Sequence, residues 1–267
     1  MKILVTGATG SVGRMVVDHL LAAGADDVRA LTANPAKAAL PTGVEITVGS
    51  VLKPDTLKDA LQGVDRMYLP SAPETTHEVA RMAAEHGVER IVDLSGPEGS
   101  WWYSIVQDVE SAGTAWTHLW PGEFMENAEI WASQIRTTGT VRDAFPEAAN
   151  AMIAMDDVAA IAAEALLGEH HDGQAYLLTG PETLTTREKI QRIGAALDQD
   201  IPVIEVSKAE SVRLLEPDMG EYAEWYVNGQ EENSHSTQPV SPTFEQVMGR
   251  PGCTFAQWAH DHVHLFR

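Results

Sequence analysis

Three glycines spaced three residues apart, Gly7, Gly10 and Gly13, follow the apolar run Lys2–Thr6 near the start of the chain. In a strand–turn–helix unit the first glycine allows a tight turn, the second lets the backbone approach a pyrophosphate, and the third lets the helix pack closely on the sheet. A helix that begins at Ser11 directs unpaired N–H groups and the positive end of its dipole at the phosphates. The spacing therefore predicts a dinucleotide site at Gly7–Gly13, and the alternative is a glycine-rich turn without a ligand.

Strand-like and helix-like patterns alternate around this motif through residue 155. The strand candidates are Lys2–Thr6, Val28–Thr32, Glu45–Val48, Arg66–Leu69, Arg90–Leu94 and Trp116–Leu119. The helical candidates are Ser11–Ala23, Pro54–Leu61, Thr75–His86 and Trp102–Ser111. This alternation predicts a parallel sheet with helices on both faces and with ligands at the carboxyl ends of its strands.

The pattern changes after residue 155. Later strand candidates are Ala175–Leu178 and Pro202–Val206, and the stretch Gly229–Pro242 is predicted to be a polar loop. Later helix candidates are Asp156–Leu167, a helix that ends near Leu197 and a last helix at Phe255–His264. A capping box of Thr185 and Glu188 begins the second of these helices, and Thr254 caps the third. The predicted fold is α/β, a Rossmann-type doubly wound parallel sheet with a small, mostly helical C-terminal cap. The predicted division is 1–155 for the dinucleotide-binding domain and 156–267 for the cap, which is interleaved with the core.

The composition excludes several classes of function. The 267 residues include 18 Lys and Arg against 39 Asp and Glu, a net charge of −21, which repels nucleic acid and anionic membranes. The single cysteine, Cys253, has no disulfide partner, and no apolar run approaches the roughly 18 residues of a membrane span. With a strand predicted from Lys2, no signal peptide is expected, so we predict a cytoplasmic protein. No metal site is predicted from His260, His262 and His264, because helical residues that are two positions apart point about 200° from one another.

Several motifs together resemble a known family. They are Thr6-Gly7-Ala8-Thr9-Gly10 with Gly13, Val28-Arg29-Ala30-Leu31, Arg90-Ile91-Val92-Asp93-Leu94-Ser95, the run Trp116–Asn127, Asp157-Val158-Ala159, Leu178-Thr179-Gly180-Pro181-Glu182 and Val247–Pro251. In these motifs the chain resembles the NmrA-like family of atypical short-chain dehydrogenases/reductases. The resemblance implies an NAD(P)-binding Rossmann fold, in a family that includes both NAD(P)H-dependent reductases and proteins that only sense the redox state of the cofactor.

The resemblance and the fold together imply a set of cofactor contacts. The ribose is expected near Thr32, Ala33 and Asn34, and the adenine near Ser50. The cofactor is expected to lie above Pro70 and Ser71, with the nicotinamide beside Ser95 and Pro121. The pyrophosphate is expected on the loop residues Gly7, Thr9, Gly10, Ser11, Val12 and Gly13. NADPH-using relatives place an arginine where this chain has Ala33, and no acidic residue stands there for NAD. Lys37 could reach a phosphate or remain a solvated lysine, so the cofactor is NADP or NAD.

The catalytic residues depart from the short-chain dehydrogenase pattern. Those enzymes use Tyr-x-x-x-Lys, whereas Tyr103 is followed by the neutral Gln107, which cannot lower the pKa of a phenol. The candidates for acid–base catalysis are Tyr103, His118 and Glu123. The alternative interpretation is a packing role for Tyr103 and His118 and a solvated carboxylate at a helix start for Glu123. Trp120 stands where relatives have arginine. The candidates for the substrate pocket are Trp120, Phe124 and Asn127.

The leading predicted function is transfer of a hydride from NAD(P)H to a small or medium apolar or aromatic acceptor, such as a quinone or an enone. A quinone needs no strong protein acid, which suits a chain without the Tyr-x-x-x-Lys pair. Two alternatives stay open. One is a non-redox enzyme, a cyclase, isomerase or dehydratase on the same fold, and the other is an NAD(P)-sensing regulatory protein. A small-molecule substrate is expected in the enzymatic cases, and the oligomeric state is left open.

Overall fold

A computed structural model describes residues 1–267. The strands are β1 (Ile3–Val5), β2 (Val28–Thr32), β3 (Glu45–Val48), β4 (Arg66–Leu69), β5 (Arg90–Leu94), β6 (Ala115–Pro121), β7 (Val141–Asp143), β8 (Ala149–Asn150), β9 (Gln174–Leu178), β10 (Leu184–Thr185) and β11 (Val203–Glu205). The α-helices are α1 (Ser11–Ala22), α2 (Thr76–Glu85), α3 (Tyr103–Ser111), α4 (Ala132–Thr138), α5 (Met155–Leu167), α6 (Thr186–Leu197), α7 (Lys208–Met219), α8 (Tyr222–His235), α9 (Thr243–Met248) and α10 (Phe255–Asp261). Short 3₁₀ helices occupy Pro35–Lys37, Pro54–Thr56, Met125–Trp131 and Val263–Phe266.

Seven parallel strands form the main sheet in the order β3-β2-β1-β4-β5-β6-β9. Leu4 of β1 pairs with Arg29 of β2 on one side and with Met67 of β4 on the other. The strand order therefore reverses between β1 and β4, and the crevice at the carboxyl ends of these two strands is where open α/β sheets bind ligands. The predicted Rossmann-type parallel sheet is confirmed.

Helices cover both faces of this sheet, as the alternation predicted. On one face, apolar side chains of the strands form a buried cluster with side chains of α2 and α3, among them Leu4, Met67, Ile91, Val79, Ala83, Ile105 and Val109. On the other face α1 packs along α5, in which Ala159, Ala162 and Ala163 are buried. Small side chains let these two helices approach closely, so α1 and the glycine loop before it are held firmly against the sheet.

Two buried arginines attach α5 to the sheet. Arg66 Nη1 donates to the carbonyl of Leu166 at 2.8 Å, and Arg90 Nη1 donates to the carbonyl of Ala165 at 2.9 Å. The last carbonyls of a helix have no intrahelical hydrogen-bond donor and lie at the negative end of the helix dipole. The two guanidinium groups supply both the missing donors and a positive charge at the end of α5.

The chain divides into two compact units, one of residues 1–121 with 155–178 and the other of residues 122–154 with 179–267. This division differs from the predicted boundary at residue 155. The segment after β6 leaves the sheet for the second unit, whereas α5 and β9 return to the first because β9 pairs with β6. A boundary drawn at one position of the sequence cannot describe a chain that crosses between units three times.

The second unit has its own core and two small sheets. In it β8 pairs antiparallel with β10, and β7 pairs parallel with β11. The largest side chains of its core are Trp131, Trp258, Phe255 and Phe266, which are almost fully buried. The capping box predicted for α6 is present, since Thr185 accepts from the Glu188 N–H and the Glu188 carboxylate accepts from the Thr185 N–H.

Three local predictions were wrong. The polar loop predicted at Gly229–Pro242 is helical as far as His235, because Ala223, Val227 and Gln230 form a buried stripe at helical spacing. The helix predicted at Pro54–Leu61 is a 3₁₀ turn over Pro54–Thr56 followed by turns. The last α-helix ends at Asp261 and continues as a 3₁₀ helix.

Candidate functional site

The glycine loop follows β1 at the point where the strand order reverses. The Thr6 hydroxyl donates to the Tyr68 carbonyl at 2.7 Å and so ties the end of β1 to β4. Gly7 has a φ of +61°, in the left-handed region that favours glycine, and the Gly10 N–H closes the turn on the Gly7 carbonyl at 2.8 Å. A Cβ at Gly13 would lie 2.2 Å from the Gly7 carbonyl oxygen, so only glycine allows α1 this close to the turn.

The start of α1 is suited to an anion. No side chain caps the helix at Gly10, and its first turn carries no acidic residue. Thr9, Gly10 and Ser11 are exposed. The first N–H groups of a helix lack intrahelical partners and lie at the positive end of its dipole. These residues therefore have the exposure and the positive helix end that an anion such as a pyrophosphate requires.

The turn after β2 is bordered by two cations. Ala33, Asn34 and Lys37 are exposed, and the Asn34 N–H donates to the buried Thr32 hydroxyl at 3.2 Å. Arg14, in the first half of α1, donates from Nη1 to the Ala39 carbonyl at 2.7 Å and so reaches across to this turn. Sequence reasoning missed Arg14, although its position directly after Gly13 was a usable signal.

Ser50, the residue predicted near adenine, is engaged in a local turn. Its Oγ accepts from the Leu52 N–H at 3.2 Å, and its own N–H donates to the Thr56 hydroxyl at 3.0 Å. The Ser50 hydroxyl proton is therefore the part of this side chain that is available to a ligand.

The ends of β4 and β5 are connected beside the glycine loop. Pro70 packs on Gly7, since a Cβ on that glycine would lie 3.0 Å from Pro70 Cγ. The Ser71 hydroxyl donates to the Leu94 carbonyl at 2.7 Å. Ser95 is buried, and its hydroxyl interacts with the Asp93 carboxylate, while Pro121 is partly buried at the end of β6. These residues belong to the same unit and lie at the carboxyl ends of their strands.

His118 lies in the interior of the sheet unit, paired with Asp93. The two residues are register partners on β5 and β6, and His118 Nδ1 lies 2.6 Å from Asp93 Oδ2. Both side chains are inaccessible to solvent, and burial raises the pKa of Asp93 despite the opposing effect of His118. The indole of Trp116 stacks on the imidazole with 4.2 Å between ring centroids. Sequence reasoning singled out His118 but not its carboxylate partner.

The remaining candidates of the sheet unit are Tyr103 and Trp120. Tyr103 is the first residue of α3 and is partly buried, whereas its neighbour Trp101 is 82% exposed and does not pack beside it in a core. Trp120 is partly buried near the end of β6, and its indole N–H has no hydrogen-bond partner.

In the second unit, Glu123 belongs to a buried polar network. Glu123 Oε2 accepts from Asn150 Nδ2 at 2.5 Å, and Asn150 Oδ1 accepts from the ammonium group of Lys189. Lys189 is 4% exposed, and burial lowers its pKa to about 8 against the opposing effect of Glu123 and Asp143. The crevice beside Asn150 and Lys189 is too narrow for a water molecule. Sequence reasoning proposed Glu123 but missed the lysine, because the two are connected through Asn150, which lies 27 positions from Glu123 and 39 positions from Lys189.

A tyrosine and a second carboxylate adjoin this network. The Tyr226 phenol lies beside Glu123, and burial together with Glu123 and Asp143 raises the pKa of the phenol. Asp143 accepts from the Phe145 N–H at 2.8 Å, and burial raises its pKa. Gln230 reaches Asp143 Oδ2 at 3.4 Å and Tyr226 Oη at 3.5 Å.

The two predicted pocket residues of this unit differ in exposure. Phe124 forms a parallel bridge with Ile153 and is partly buried, while Asn127 is exposed. The same bridge fixes Glu123, because the Ile153 N–H donates to the Glu123 carbonyl at 2.9 Å. No cluster of three metal-ligating side chains occurs in the chain, and none of its helices has the length and apolar character needed to cross a membrane.

A glycine loop at the switch point of a parallel sheet, with an uncapped helix start behind it, defines a dinucleotide-binding protein. Residues 7–169 match the family described as NAD(P)H-binding, and the chain belongs to that family, of the NmrA-like, atypical short-chain dehydrogenase/reductase type. The cofactor is NAD(P)H, and the relatives define the chain as an NAD(P)H-dependent oxidoreductase.

Individual relatives cover almost the whole chain. A (4-alkanoyl-5-oxo-2,5-dihydrofuran-3-yl)methyl phosphate reductase of Streptomyces griseus is 34% identical over 99% of both chains. An NAD(P)H azoreductase of Xenophilus azovorans is 32% identical, again over 99% of both. Among solved structures, an NADPH-dependent quinone oxidoreductase of Escherichia coli matches with a TM-score of 0.85 and 25% identity, over 99% of this chain and 100% of the other.

Proposed function

We propose that the protein reduces a small conjugated acceptor, such as a quinone or an enone, with NAD(P)H as the hydride donor. The observation that carries this proposal is the open glycine loop in front of the uncapped start of α1, which suits the pyrophosphate of that cofactor. The reductase names of the relatives favour this function over a non-redox enzyme or a cofactor sensor. Because NAD(P)H is available in the cytoplasm, we propose that the protein acts there.

The proposed class of acceptor is inferred from the substrates that appear in the names of the relatives. A dihydrofuranone, an azo compound and a quinone are different chemicals, but each is a conjugated system that accepts two electrons. In the sheet unit, the predicted pocket residue Trp120 near the end of β6 offers a flat apolar surface suited to a conjugated ring.

The residues of the sheet unit are proposed to bind and orient the cofactor. The free N–H groups at Ser11–Gly13 bind the pyrophosphate, and Gly7 and Gly10 let the backbone approach it. Thr32 and Asn34 lie at the ribose, and Pro70 and Ser71 support the cofactor from below. When bound, the reduced nicotinamide supplies the hydride, and the protein contributes position and a dry surrounding.

The experiment is oxidation of NADPH and of NADH, followed at 340 nm, with a panel of quinones, enones and azo compounds. The wild type should oxidise at least one cofactor with an acceptor of this panel. Gly13→Ala should abolish cofactor binding, because its Cβ collides with the Gly7 carbonyl, while Gly229→Ala should retain it, since no atom lies within 4 Å of a Cβ there. Cofactor binding without turnover of any acceptor would favour the sensor, and no binding would favour the non-redox enzyme.

We further propose that the enzyme prefers NADPH. Arg14 and Lys37 are cations beside the turn after β2, where a ribose 2′-phosphate would lie, and Asp and Glu are absent from residues 33–38. The test compares binding of 2′,5′-ADP with binding of 5′-AMP. Tighter binding of 2′,5′-ADP that Arg14→Ala weakens is expected, and equal affinities would refute the preference.

A further inference from the structure

Two adjacent tryptophans of the sheet unit lie exposed just before α3. Trp101 is 82% exposed and Trp102 is 42% exposed, and we call these two side chains the tryptophan pair. An indole that keeps its ring face in water forgoes the free energy of burial. Exposed apolar rings side by side therefore indicate a surface that a ligand or a partner covers.

The tryptophan pair lies close to the carboxyl end of β5. A Cβ at Gly96, the second residue after this strand, would lie 3.3 Å from the Cβ of Trp102, so a glycine is what lets the two residues approach. The loop between them forms a turn in which the Ser100 N–H donates to the Pro97 carbonyl at 3.0 Å. Trp102 is therefore held against the residue that follows Ser95, beside which the nicotinamide is expected.

Contacts connect the glycine loop with this end of β5. Pro70 packs on Gly7, and the Ser71 hydroxyl donates at 2.7 Å to the carbonyl of Leu94, which directly precedes Ser95. Neighbouring strands lie about 4.8 Å apart, so the ends of β1 and β5, with β4 between them, are about 10 Å apart. A dinucleotide binds across the strand ends at the switch point, and its nicotinamide half then extends toward β5 and the tryptophan pair.

The charges along these strand ends are divided between two sides. The loops after β4 and β5, residues 70–75 and 95–102, contain neither lysine nor arginine, and each carries one exposed glutamate, Glu74 and Glu98. Arg14 and Lys37 lie on the other side of the switch point, beside the turn after β2. The cations are thus placed for the phosphates of a cofactor, whereas the loops near the tryptophan pair have no cationic side chain for a phosphate, sulfonate or carboxylate.

We propose that the tryptophan pair binds the acceptor by stacking on its ring, and that the acceptor is flat and uncharged. The proposal rests on the proposed function and names the substrate class of that site. The ring of a quinone can lie in an offset stack on an indole, and the contact removes apolar surface of both from water. The pair makes and breaks no bond, so its effect is on the binding and the choice of the acceptor.

The first test is kinetic and uses the full chain, NADPH and two acceptors, the uncharged menadione and the anionic naphthoquinone sulfonate. Menadione should have the lower KM. Trp101→Ala and Trp102→Ala should each raise the KM for menadione by about tenfold, the range of a lost aromatic stack, and leave the KM for NADPH unchanged. Trp102→Phe keeps a ring and should restore most of the affinity for menadione.

Two further variants complete this test. Trp225→Ala removes a tryptophan of the second unit that is 73% exposed, and it should leave both KM values unchanged. Glu98→Lys places a cation in the loop before the tryptophan pair and should lower the KM for naphthoquinone sulfonate. A wild-type KM for menadione in both Trp101→Ala and Trp102→Ala, or a lower wild-type KM for the sulfonate than for menadione, would overturn the proposal.

The second test needs no turnover and so separates this proposal from the proposed function. Equilibrium dialysis measures the binding of menadione to the protein with NADP⁺, which has no hydride to give. The wild type and Trp225→Ala should bind menadione at least about tenfold more tightly than the double variant Trp101→Ala/Trp102→Ala. Equal binding by the wild type and the double variant would assign the tryptophan pair to a partner other than the acceptor and overturn the proposal, even if the enzyme reduces quinones. Binding that depends on the tryptophan pair, in a protein that oxidises no NADPH, would overturn the proposed function instead.

Discussion

The replacement Lys189→Met should change how stability depends on pH. Lys189 is buried, and its pKa is lowered from 10.5 to about 8, so between these values the unfolded chain holds a proton that the folded chain has released. Stability rises with pH wherever the unfolded state binds more protons, so this group contributes a gain in stability as pH rises from about 8 toward 10.5.

The size of the gain follows from the shift. At about 1.4 kcal/mol for each pKa unit, the lowered pKa of Lys189 corresponds to about 3.5 kcal/mol over the whole window, of which about 2.5 kcal/mol falls between pH 7 and pH 10. In Lys189→Met this contribution is absent. The difference in free energy of unfolding, wild type minus variant, should therefore rise by about 2.5 kcal/mol over that range.

The assay is urea unfolding followed by the fluorescence of the seven tryptophans at pH 7, 8, 9 and 10. Titratable groups that are far from residue 189 are common to both proteins, so their contributions cancel in the difference. Lys208→Met removes a lysine that is 40% exposed, so its curve should run parallel to that of the wild type. A flat difference between wild type and Lys189→Met from pH 7 to pH 10 would show that the buried lysine is not desolvated as described.

Further changes test the elements that position the site. Gly13→Ala should destabilise the fold by about 1–3 kcal/mol through overpacking against Gly7, and calorimetry should show that NAD(P)H binding is abolished. Gly229→Ala in α8 should be neutral or slightly stabilising. Arg90→Met should lower the free energy of unfolding in urea by about 2 kcal/mol, because it leaves carbonyl groups at the end of α5 without a donor. The control Arg81→Met removes an exposed ion pair with Glu85 on α2 and should lower it by less than about 1 kcal/mol. Thr185→Ala should cost about 1 kcal/mol by removing the capping box of α6. Equal effects of a change and its control would contradict the packing described.

Local patterns predicted the elements of the sheet unit well. The bounds of β2, β3, β4 and β5 agree with prediction, since a run of apolar residues between turn residues is a strong local signal in a parallel sheet. The loop at Gly229–Pro242 was predicted poorly, because polar composition hid the buried stripe of α8 and only its packing against a partner makes that stripe visible.

The sequence alone determined the class of fold and cofactor, because the strand–glycine–helix motif of residues 2–13 is local and its chemistry depends on backbone geometry rather than on distant residues. Tertiary structure alone decided which charges meet. Asp93 faces His118 only because β5 and β6 pair in that register, and Lys189 reaches Asn150 only because β10, which leads into α6, pairs with β8. Pairing and packing join residues far apart in the chain, and burial then alters the pKa of Asp93 and of Lys189, which no local pattern specifies.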